Sequence, residues 1–524
     1  MRLKYLIFGL ILQLSFTSFA QDMWTGRKTD FPVKEAKDLK FYGYFINQFV
    51  VNNIYATNDF LKGQTVGRLY GGNTTTSSDT NRSIYAEQRF IPFFEYRPSL
   101  LNRKVAIRAA FEIDWTWGDV AYGAGGNLGG GFSADQVNIQ TQLAELEFSP
   151  KPNIQINLGM TRLFDTPKNP FAVSFNNMTK TGTRMHLFGS EAVGTSINYA
   201  GDDWCTKAGF YWLYSNNIKD RDDVTVFEAQ GQKDFKKNWS LGGSFYYLRD
   251  RSHSLSKNNI NGGVSILGQG LRGSLADYNG TYNFNVVGSE VKGDFFWLST
   301  FWGKNEEYNT GRFMHTGYIT ANLGIVDTNR AKWTKDFSIA GVAANAKIGY
   351  RYGQTYEDRI ELDAFFSTGD NNTNDGRYSG VITGNQWGSP GALFLGTEAL
   401  LLFPQPNVVN RYFAAVTDIS NQGLGLIGTS LHAHKDIIPN KLSAKIGTAT
   451  ALSVISPKNG TNYMGTEISA AISWQPKILM NLELHGGYLM LGNFYKDFKM
   501  NGIADGVKPT NPWTLFLVYK WLIF

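Results

Sequence analysis

The sequence is poor in cysteine and proline, and after its N-terminus it has no long apolar run. Of the 524 residues only Cys205 is a cysteine, which excludes an internal disulfide framework. The 15 prolines leave long stretches in which a β-ladder can form without interruption. No later stretch approaches the roughly 18 consecutive apolar residues of a membrane-spanning helix. These shortages exclude a disulfide-stapled secreted domain and a helical membrane protein.

Recognisable catalytic motifs are also missing. The chain contains no Gly-x-Ser-x-Gly, no His-Glu-x-x-His and no phosphate-binding glycine loop. Among the six histidines, His432 and His434 share a strand face, and we favour two polar side chains there over a two-ligand metal site. We therefore predict that the protein is not an enzyme and has no cofactor or metal. A Ser/His pair assembled across strands is the remaining enzymatic alternative.

What the chain does contain is aromatic residues and glycine in a moderately polar background. Aromatic residues make up 15% of the sequence and there are 56 glycines, yet the mean hydropathy is −0.26. This balance is typical of strands that face lipid on one side and water on the other. The formal net charge of +6 excludes neither a neutral nor an anionic cargo, and no segment indicates nucleic-acid binding.

The N-terminus has the pattern of a secretory signal peptide. Arg2 and Lys4 precede an apolar segment at 5–16, and Ser18-Phe19-Ala20 is a small-x-small cleavage pattern. The apolar segment is too short to cross about 30 Å of hydrocarbon as a helix. We predict a signal peptide at 1–20, an N-terminal periplasmic segment at 21–37 and an outer-membrane β-barrel at 38–524.

Alternating polarity predicts the fold. Between Val105 and Trp117 every second residue is apolar, and residues such as Arg108, Glu112 and Asp114 lie between them. A period of two indicates a strand, and this one exceeds the soluble average of about five to six residues. The pattern recurs from 154, 208, 239, 360, 468 and 482. We predict an all-β, transmembrane antiparallel barrel, most consistent with 18 strands within a range of 16–20. The segments 280–303 and 411–434 each fit one long strand or a hairpin.

The connections between strands fall into short turns and long loops. Short polar turns include 97–102, 149–153 and 474–477, whereas 57–82, 118–135, 165–191, 368–410 and 492–511 are long and rich in Gly, Asn and Thr. Outer-membrane barrels have short periplasmic turns and longer external loops, which predicts that these loops face the cell exterior. The segment 370–376 resembles the start of a calcium loop, but Asp375 and Val381 replace its glycine and its bidentate glutamate, so we favour a hydrated surface loop.

The C-terminal segment is the candidate closing strand. The segment 513–524 is rich in aromatic residues and ends on Phe524, which resembles the signal recognised by outer-membrane assembly machinery. Its alternation places Phe516, Val518 and Leu522 in one phase, and Lys520 interrupts that phase. We therefore predict that this strand pairs with the first one and that Phe524 contacts the assembly machinery.

Charged residues on the presumed inward face are the candidate functional residues. Charge is costly against lipid but cheap in a water-filled lumen. Arginines there either select anions, because the planar guanidinium binds carboxylates in a bidentate way, or pair across strands and brace the wall. The predicted pore-lining residues are Arg89, Arg97, Arg108, Asp114, Arg162, Lys292, Lys347, Arg351, Arg359, Asp363 and Arg411.

Three passages resemble the alginate-export family of outer-membrane porins. They are the segments 160–165 (MTRLFD), 366–370 (FSTGD) leading into an Asn/Asp loop, and 388–404, which begins GSPGA and ends LFP. The resemblance implies an 18-stranded monomeric barrel with an arginine-lined, electropositive constriction that passes acidic polysaccharide outward. Here the inward candidates also include many carboxylates, which departs from that pattern.

Taken together, these features predict an outer-membrane porin for passive passage of an anionic or sugar-like solute, small or polymeric, with acidic polysaccharide export as one form. Its expected partners are outer-membrane lipid, lipopolysaccharide and the solute itself. The alternative is a barrel that does not transport, such as an adhesin or a secretion-complex component with a plugged lumen. Barrels of about 16 to 18 strands leave an aqueous channel, which favours transport, although loop 165–191 or 368–410 is long enough to fold inside.

Overall fold

A computed structural model describes residues 38–57, 67–71, 75–117, 138–162, 166–168, 191–214, 223–235, 238–251, 280, 282, 291–328, 336–372, 375–383, 398–405, 409 and 413–523. The expected signal peptide, the N-terminal periplasmic segment and Phe524 lie outside these residues and stay predictions. Within the described residues, no helix has the length and apolar character needed to cross a membrane.

Eighteen antiparallel strands form one closed barrel, which confirms the predicted fold and strand number. In chain order they are β1 (Leu39–Asn52), β2 (Ser83–Tyr96), β3 (Val105–Thr116), β4 (Asn138–Lys151), β5 (Ile154–Arg162), β6 (Glu191–Ala200), β7 (Trp204–Tyr214), β8 (Val224–Phe235), β9 (Trp239–Asp250), β10 (Lys292–Lys304), β11 (Phe313–Asp327), β12 (Phe337–Arg351), β13 (Arg359–Ser367), β14 (Leu426–Ile438), β15 (Leu442–Leu452), β16 (Tyr463–Lys477), β17 (Met480–Leu491) and β18 (Trp513–Ile523).

The barrel closes where the first strand meets the last. β1 pairs with β18 from Gly43 opposite Ile523 to Asn52 opposite Thr514, and every other strand pairs with its neighbours in chain order. Of the two ambiguous segments, 280–303 holds the single strand β10, and its part before residue 291 lies almost wholly outside the described residues. In 411–434 a two-residue bridge at Phe413–Ala414 and a 3-10 turn at Asn421–Gly423 precede β14, so neither expected form was right.

Alternation separates a lipid-facing exterior from an inward face, as the sequence predicts. In β3, Ile107 is 54% exposed and points outward, whereas the adjacent Arg108 is 1% exposed and points inward. The same phase puts Leu158, Leu298 and Ile446 among the most exposed large apolar residues of the barrel. Such an apolar surface is stable only against hydrocarbon, because water would oppose its exposure over so many strands.

Short and long connections lie on opposite rims. The turns 97–104, 152–153, 201–203, 305–312, 352–358, 439–441 and 478–479 share one rim with the described chain ends, and the short connection from β8 to β9 begins and ends at the same rim. The long connections all leave from the other rim. The predicted turns 97–102 and 149–153 overlap turns of the short-turn rim. The predicted turn 474–477 is wrong: these residues belong to β16, whose pairing continues through an irregularity between Trp474 and Lys477, and the turn is 478–479. Which rim faces the cell exterior stays a prediction.

Part of the β13–β14 connection lies inside the barrel. Leu401 and Leu402 form backbone hydrogen bonds with Ala415 and Val416 at 2.8 and 2.9 Å, and Leu69 of the first long loop donates to Ala414 at 2.7 Å. We call the buried apolar cluster around this segment the loop core. It combines Leu400, Leu401, Leu402, Phe403, Val416 and Ile419 with the wall residues Tyr44, Ile46, Ile91, Phe93, Phe516 and Val518.

Candidate functional site: a constricted and charged lumen

Ion-pair clusters line the inward face of the described strands, and the first of three that bear on the site surrounds Arg108 on β3. Its guanidinium lies 2.9 Å from Glu95 and 3.0 Å from Glu145, and Glu147 also contacts it. Arg97 extends this cluster toward the short-turn rim with an ion pair to Glu147 at 2.7 Å. Because the partners come from the neighbouring strands β2 and β4, these contacts brace the wall across three strands.

The second cluster joins the wall to the inward loop. Arg89 on β2 binds Asp114 on β3 in a bidentate way, at 2.8 and 2.6 Å, and also pairs with Glu112 at 2.8 Å. The same guanidinium donates to the backbone carbonyl of Val409 at 2.8 Å. Two carboxylates and a loop carbonyl therefore occupy the planar fork that a solute carboxylate would otherwise use.

The third cluster lies near the short-turn end of β12, β13, β14 and β15. Arg359 is 1% exposed, pairs with Glu357 at 2.8 Å and Glu361 at 3.2 Å, and lies 4.4 Å over the ring of Tyr356. Lys347 on β12 pairs with Glu361 at 3.2 Å. Burial in the turn 352–358 opposes ionisation of Glu357, but the charge of Arg359 and the contact with His434 together hold the pKa of Glu357 below its usual value.

A carboxylate of the inward loop completes this third cluster. Glu398 lies 3.2 Å from Nζ of Lys445, 3.0 Å from Nε2 of His434 and 3.9 Å from Arg359. The three cationic or titratable side chains come from the adjacent strands β15, β14 and β13, whereas Glu398 comes from the β13–β14 connection. Wall and loop are therefore joined by charge at this point.

Two residues further along, the loop backbone is fixed to the wall by Glu467 on β16. Its carboxylate accepts the N–H groups of Leu400 at 2.7 Å, Leu401 at 2.9 Å and Leu402 at 2.6 Å. Glu467 is fully buried, and hydrogen bonds to a buried carboxylate are stronger than those between neutral groups. The loop segment 398–402 is therefore fixed at both of its ends.

A cavity of about 110 Å³ lies below this segment, toward the short-turn rim. Its wall combines carboxylates, cations and neutral hydrogen-bonding groups, namely Glu357, Glu398, His434, Asp436, Asn440, Lys441, Ser443, Lys445, Ser473, Gln475, Asn481, Glu483 and His485. Glu483 is held by Lys520 at 2.9 Å and by His485 at 2.8 Å. The cavity therefore offers polar contacts to a small hydrated solute at the short-turn end of the barrel.

The third cluster also contains a geometric set of metal-ligating atoms. One ligand atom each from Glu361, Glu398 and His434 lies within 4.8 Å of the others. Lys347, Arg359 and Lys445 already contact the same two carboxylates, and their positive charges would repel a divalent cation. These residues therefore fit an ion-pair network and do not fit a metal site.

The predicted pore-lining residues fall into several groups. Six of them are in inward positions, namely Arg89, Arg108, Asp114, Lys347, Arg359 and Asp363, and Arg97 and Arg351 lie near the short-turn rim. The side chain of Arg162 and the whole of Arg411 lie outside the described residues. That any of these side chains lines an open pore stays a prediction.

Lys292 was assigned to the wrong face. It is exposed and shares the outward side of β10 with Leu298, and Asp294 lies in the same phase. The inward positions of β10 are instead occupied by apolar residues such as Phe295 and Trp297, because the loop packs against this part of the wall. The indole of Trp297 donates to the carbonyl of Ile382 at 3.2 Å.

Sequence reasoning missed Glu398, Lys445 and the carbonyl of Val409. Glu398 and Val409 lie in a connection without periodicity, so no pattern predicted that they enter the lumen. Lys445 follows the alternation of β15, so the strand periodicity that selected Lys347 would also have selected Lys445. Glu467 follows the alternation of β16 to the inward face, but its partners are backbone groups, which leave no signal in the sequence.

Neither a protein-family model nor a curated protein matches the chain. Among solved structures, OccAB4 from Acinetobacter baumannii is similar with a TM-score of 0.46 and 12% identity, over 94% of this chain and 100% of that chain. The outer membrane protein opdK from Pseudomonas aeruginosa has a TM-score of 0.45 and 10% identity, over 93% and 98%. OccK2 (OpdF) from Pseudomonas aeruginosa, solved in complex with glucuronate, also has a TM-score of 0.45 and 10% identity, over 93% of this chain and 98% of that chain.

The closed strand ladder and the apolar exterior of the barrel indicate a membrane-spanning protein. Strands cross a membrane only when every backbone group is paired, and the closed ladder from β1 to β18 meets that condition. The exterior is apolar, and charged side chains concentrate on the inward face. The chain is therefore an integral transmembrane β-barrel, the architecture of outer-membrane proteins.

Proposed function

We propose that the protein is a passive outer-membrane channel for a small anionic or sugar-like solute. The observation that carries this proposal is the closed barrel of 18 strands with a charged inward face. Barrels of about eight strands fill themselves with side chains, whereas those of about 16 to 18 enclose a space wide enough for water. The exposed exterior would contact outer-membrane lipid and lipopolysaccharide.

The size of the solute follows from the inward loop. Glu467 and Glu398 fix the segment 398–402 inside the barrel, and the loop core packs around it. A polymer would have to displace these contacts along its whole length, whereas a small molecule passes beside them. Small solutes are therefore favoured over the acidic polysaccharide export that the alginate-export resemblance implies.

Few charged groups are left to bind a solute, because the buried arginines Arg89 and Arg108 already bind carboxylates of the wall. Arg89 and Arg108 together contact five acidic side chains, which are Glu95, Glu112, Asp114, Glu145 and Glu147. These arginines brace the wall. The cavity below Glu398 is left as the candidate selective region, with hydroxyl, amide and ammonium groups suited to a hydroxylated or anionic solute.

The loop core also supports the second candidate, a barrel that does not transport. If the inward segments seal the lumen, the protein is a plugged barrel with an adhesive or assembly role. Swelling of proteoliposomes in sugars and sugar acids of increasing size separates the two. A channel admits a pentose or hexonate and rejects a trisaccharide, and protein-free liposomes provide the control. Absence of swelling with every solute would favour the plugged barrel.

A further inference from the structure

The inward loop carries a carboxylate into a site formed by cations of the wall. Glu398 contacts Lys445, His434 and Arg359, and these come from three adjacent strands of the barrel. Other inward carboxylates of this cluster, such as Glu357 and Glu361, belong to the wall or its turns. Glu398 differs because it belongs to the β13–β14 connection, part of which lies inside the barrel.

Lys445 depends on this one contact. Among the residues that the structure describes, Glu398 is the one carboxylate within 4.0 Å of its ammonium group, at 3.2 Å. Arg359 by contrast has Glu357 and Glu361 as further partners. If Glu398 leaves, Lys445 loses its counter-charge and the site becomes attractive to another anion.

The site is reachable from the short-turn end. Glu398, His434 and Lys445 all line the cavity of about 110 Å³, which also contains Ser473 and Asn481 as neutral hydrogen-bonding groups. A small carboxylate that enters this cavity therefore meets the ammonium group of Lys445 and the imidazole of His434 directly.

We propose that Glu398 is a tethered occupant of an anion-binding site, and that small solute carboxylates bind Lys445 and His434 by displacing it. A tethered group competes at a high effective concentration, so the site binds free anions only weakly. Weak binding suits a channel, in which a solute must leave as readily as it enters. This inference rests on the proposed passage of anionic solutes and names the site at which they would bind.

Displacement of Glu398 would also loosen the loop. The segment that begins at Glu398 continues to Leu400, whose N–H is bound by Glu467. With Glu398 released, the Glu467 contacts remain, and one end of the segment is free to move away from the third cluster. A bound carboxylate would thus widen the path that it follows.

The test is calorimetric titration of the detergent-solubilised full-length barrel with sodium succinate at constant ionic strength. Removal of a competitor that fills the site at least nine-tenths of the time raises the apparent affinity at least about tenfold. We expect that gain in Glu398→Gln, which keeps the side-chain volume without the charge. Glu307→Gln, in the turn 305–312, is the matched control and should match the wild type.

Two further variants protect the interpretation. Glu398→Asp retains the charge at shorter reach and should bind succinate with intermediate affinity, and Lys445→Gln in the Glu398→Gln background should abolish the gain. Heat-modifiable migration on gels verifies that each variant is a folded barrel. An affinity of Glu398→Gln within twofold of the wild type would overturn the inference.

The outcomes also separate this inference from the proposed function, because binding is measured without passage. A tenfold gain in affinity together with absent proteoliposome swelling supports the site and removes the channel. Normal swelling together with unchanged affinity removes the site and leaves the channel.

Discussion

The carboxylate of Glu467 accepts the backbone N–H of Leu401 at 2.9 Å, and this contact is the middle one of three consecutive hydrogen bonds to Leu400, Leu401 and Leu402. A wall side chain thereby fixes a loop backbone inside the barrel. This contact differs from the ion-pair clusters because its donors are backbone N–H groups. They carry no charge, and no substitution of a side chain removes them.

Glu467→Gln should release this segment without unfolding the barrel. An amide has one acceptor oxygen and brings an NH2 group toward three N–H donors, so most of the contacts are lost, each worth roughly 1.5–3 kcal/mol when the acceptor is charged. We expect faster amide hydrogen exchange at residues 400–402 and unchanged exchange in β16 away from the site. Glu307→Gln serves as the control. Unaltered protection of these three amides would show that Glu467 does not hold the loop.

Arg108→Gln should destabilise the barrel and leave its ion preference nearly unchanged. The substitution leaves Glu95, Glu145 and Glu147 close together without their common cation, and breaking such a buried network costs about 3–5 kcal/mol. Urea unfolding in detergent or lipid measures the loss. Arg351→Gln is the control, because that guanidinium lies over the ring of Tyr308 at 5.9 Å and forms no ion pair among the described residues. A strong shift in reversal potential with normal stability would favour anion selection over bracing.

The contacts of Asp358 at the short-turn rim should make the free energy of unfolding depend on pH. Partial burial opposes ionisation, but hydrogen bonds from Lys435 at 2.7 Å and from the N–H of Asp436 at 3.2 Å lower its pKa below the ordinary value of 3.8. A lowered pKa in the folded state stabilises the protein above pH 3.8, and this stabilisation is lost as the pH falls through the folded-state pKa.

Asp358→Asn should therefore unfold at lower urea concentration than the wild type at pH 7, and the difference should shrink on acidification below pH 4. Asp202→Asn, at an exposed turn of the same rim, is the matched control and should show little change at either pH. An equal difference at neutral and acidic pH would contradict the assignment.

The orientation of the barrel is testable by labelling of introduced cysteines. Asp79 lies in an exposed part of the first long loop, and Ile478 is 59% exposed in the turn between β16 and β17. The native Cys205 is buried and gives a low background. We expect a membrane-impermeant maleimide to label Asp79→Cys on intact cells, and Ile478→Cys only after permeabilisation. The reverse pattern would place the long loops in the periplasm.

Sequence periodicity predicted the wall of this barrel because one side of each strand must satisfy lipid and the other water. Val105 to Trp117 and Arg359 to Phe366 follow that rule closely. The rule fails where protein rather than water fills the lumen. Phe295 and Trp297 are inward because the loop packs on them, and for that reason Lys292 was predicted on the inward face although it lies on the outward one. Phe516 and Val518 are inward for the same reason, since they contact the loop core, and Lys520 shares their face by pairing with Glu483.

The candidate site was less predictable than the wall. Its wall residues Lys347, Arg359 and Glu361 follow from strand phase alone, but Glu398 depends on the path of a connection that has no repeating pattern. Loop paths are set by contacts far apart in sequence, such as that between Leu400 and Glu467, and a single sequence does not record which distant groups meet.

Single-channel conductance in planar lipid bilayers tests the central claim, that this barrel is a solute passage narrowed by an anchored loop. The account predicts discrete, small and steady conductance steps for the wild type, and larger or noisier steps for Glu467→Gln, because release of residues 400–402 widens the lumen. Glu307→Gln should behave as the wild type. Folded wild-type protein and folded Glu467→Gln that both insert into the bilayer and carry no current would contradict it.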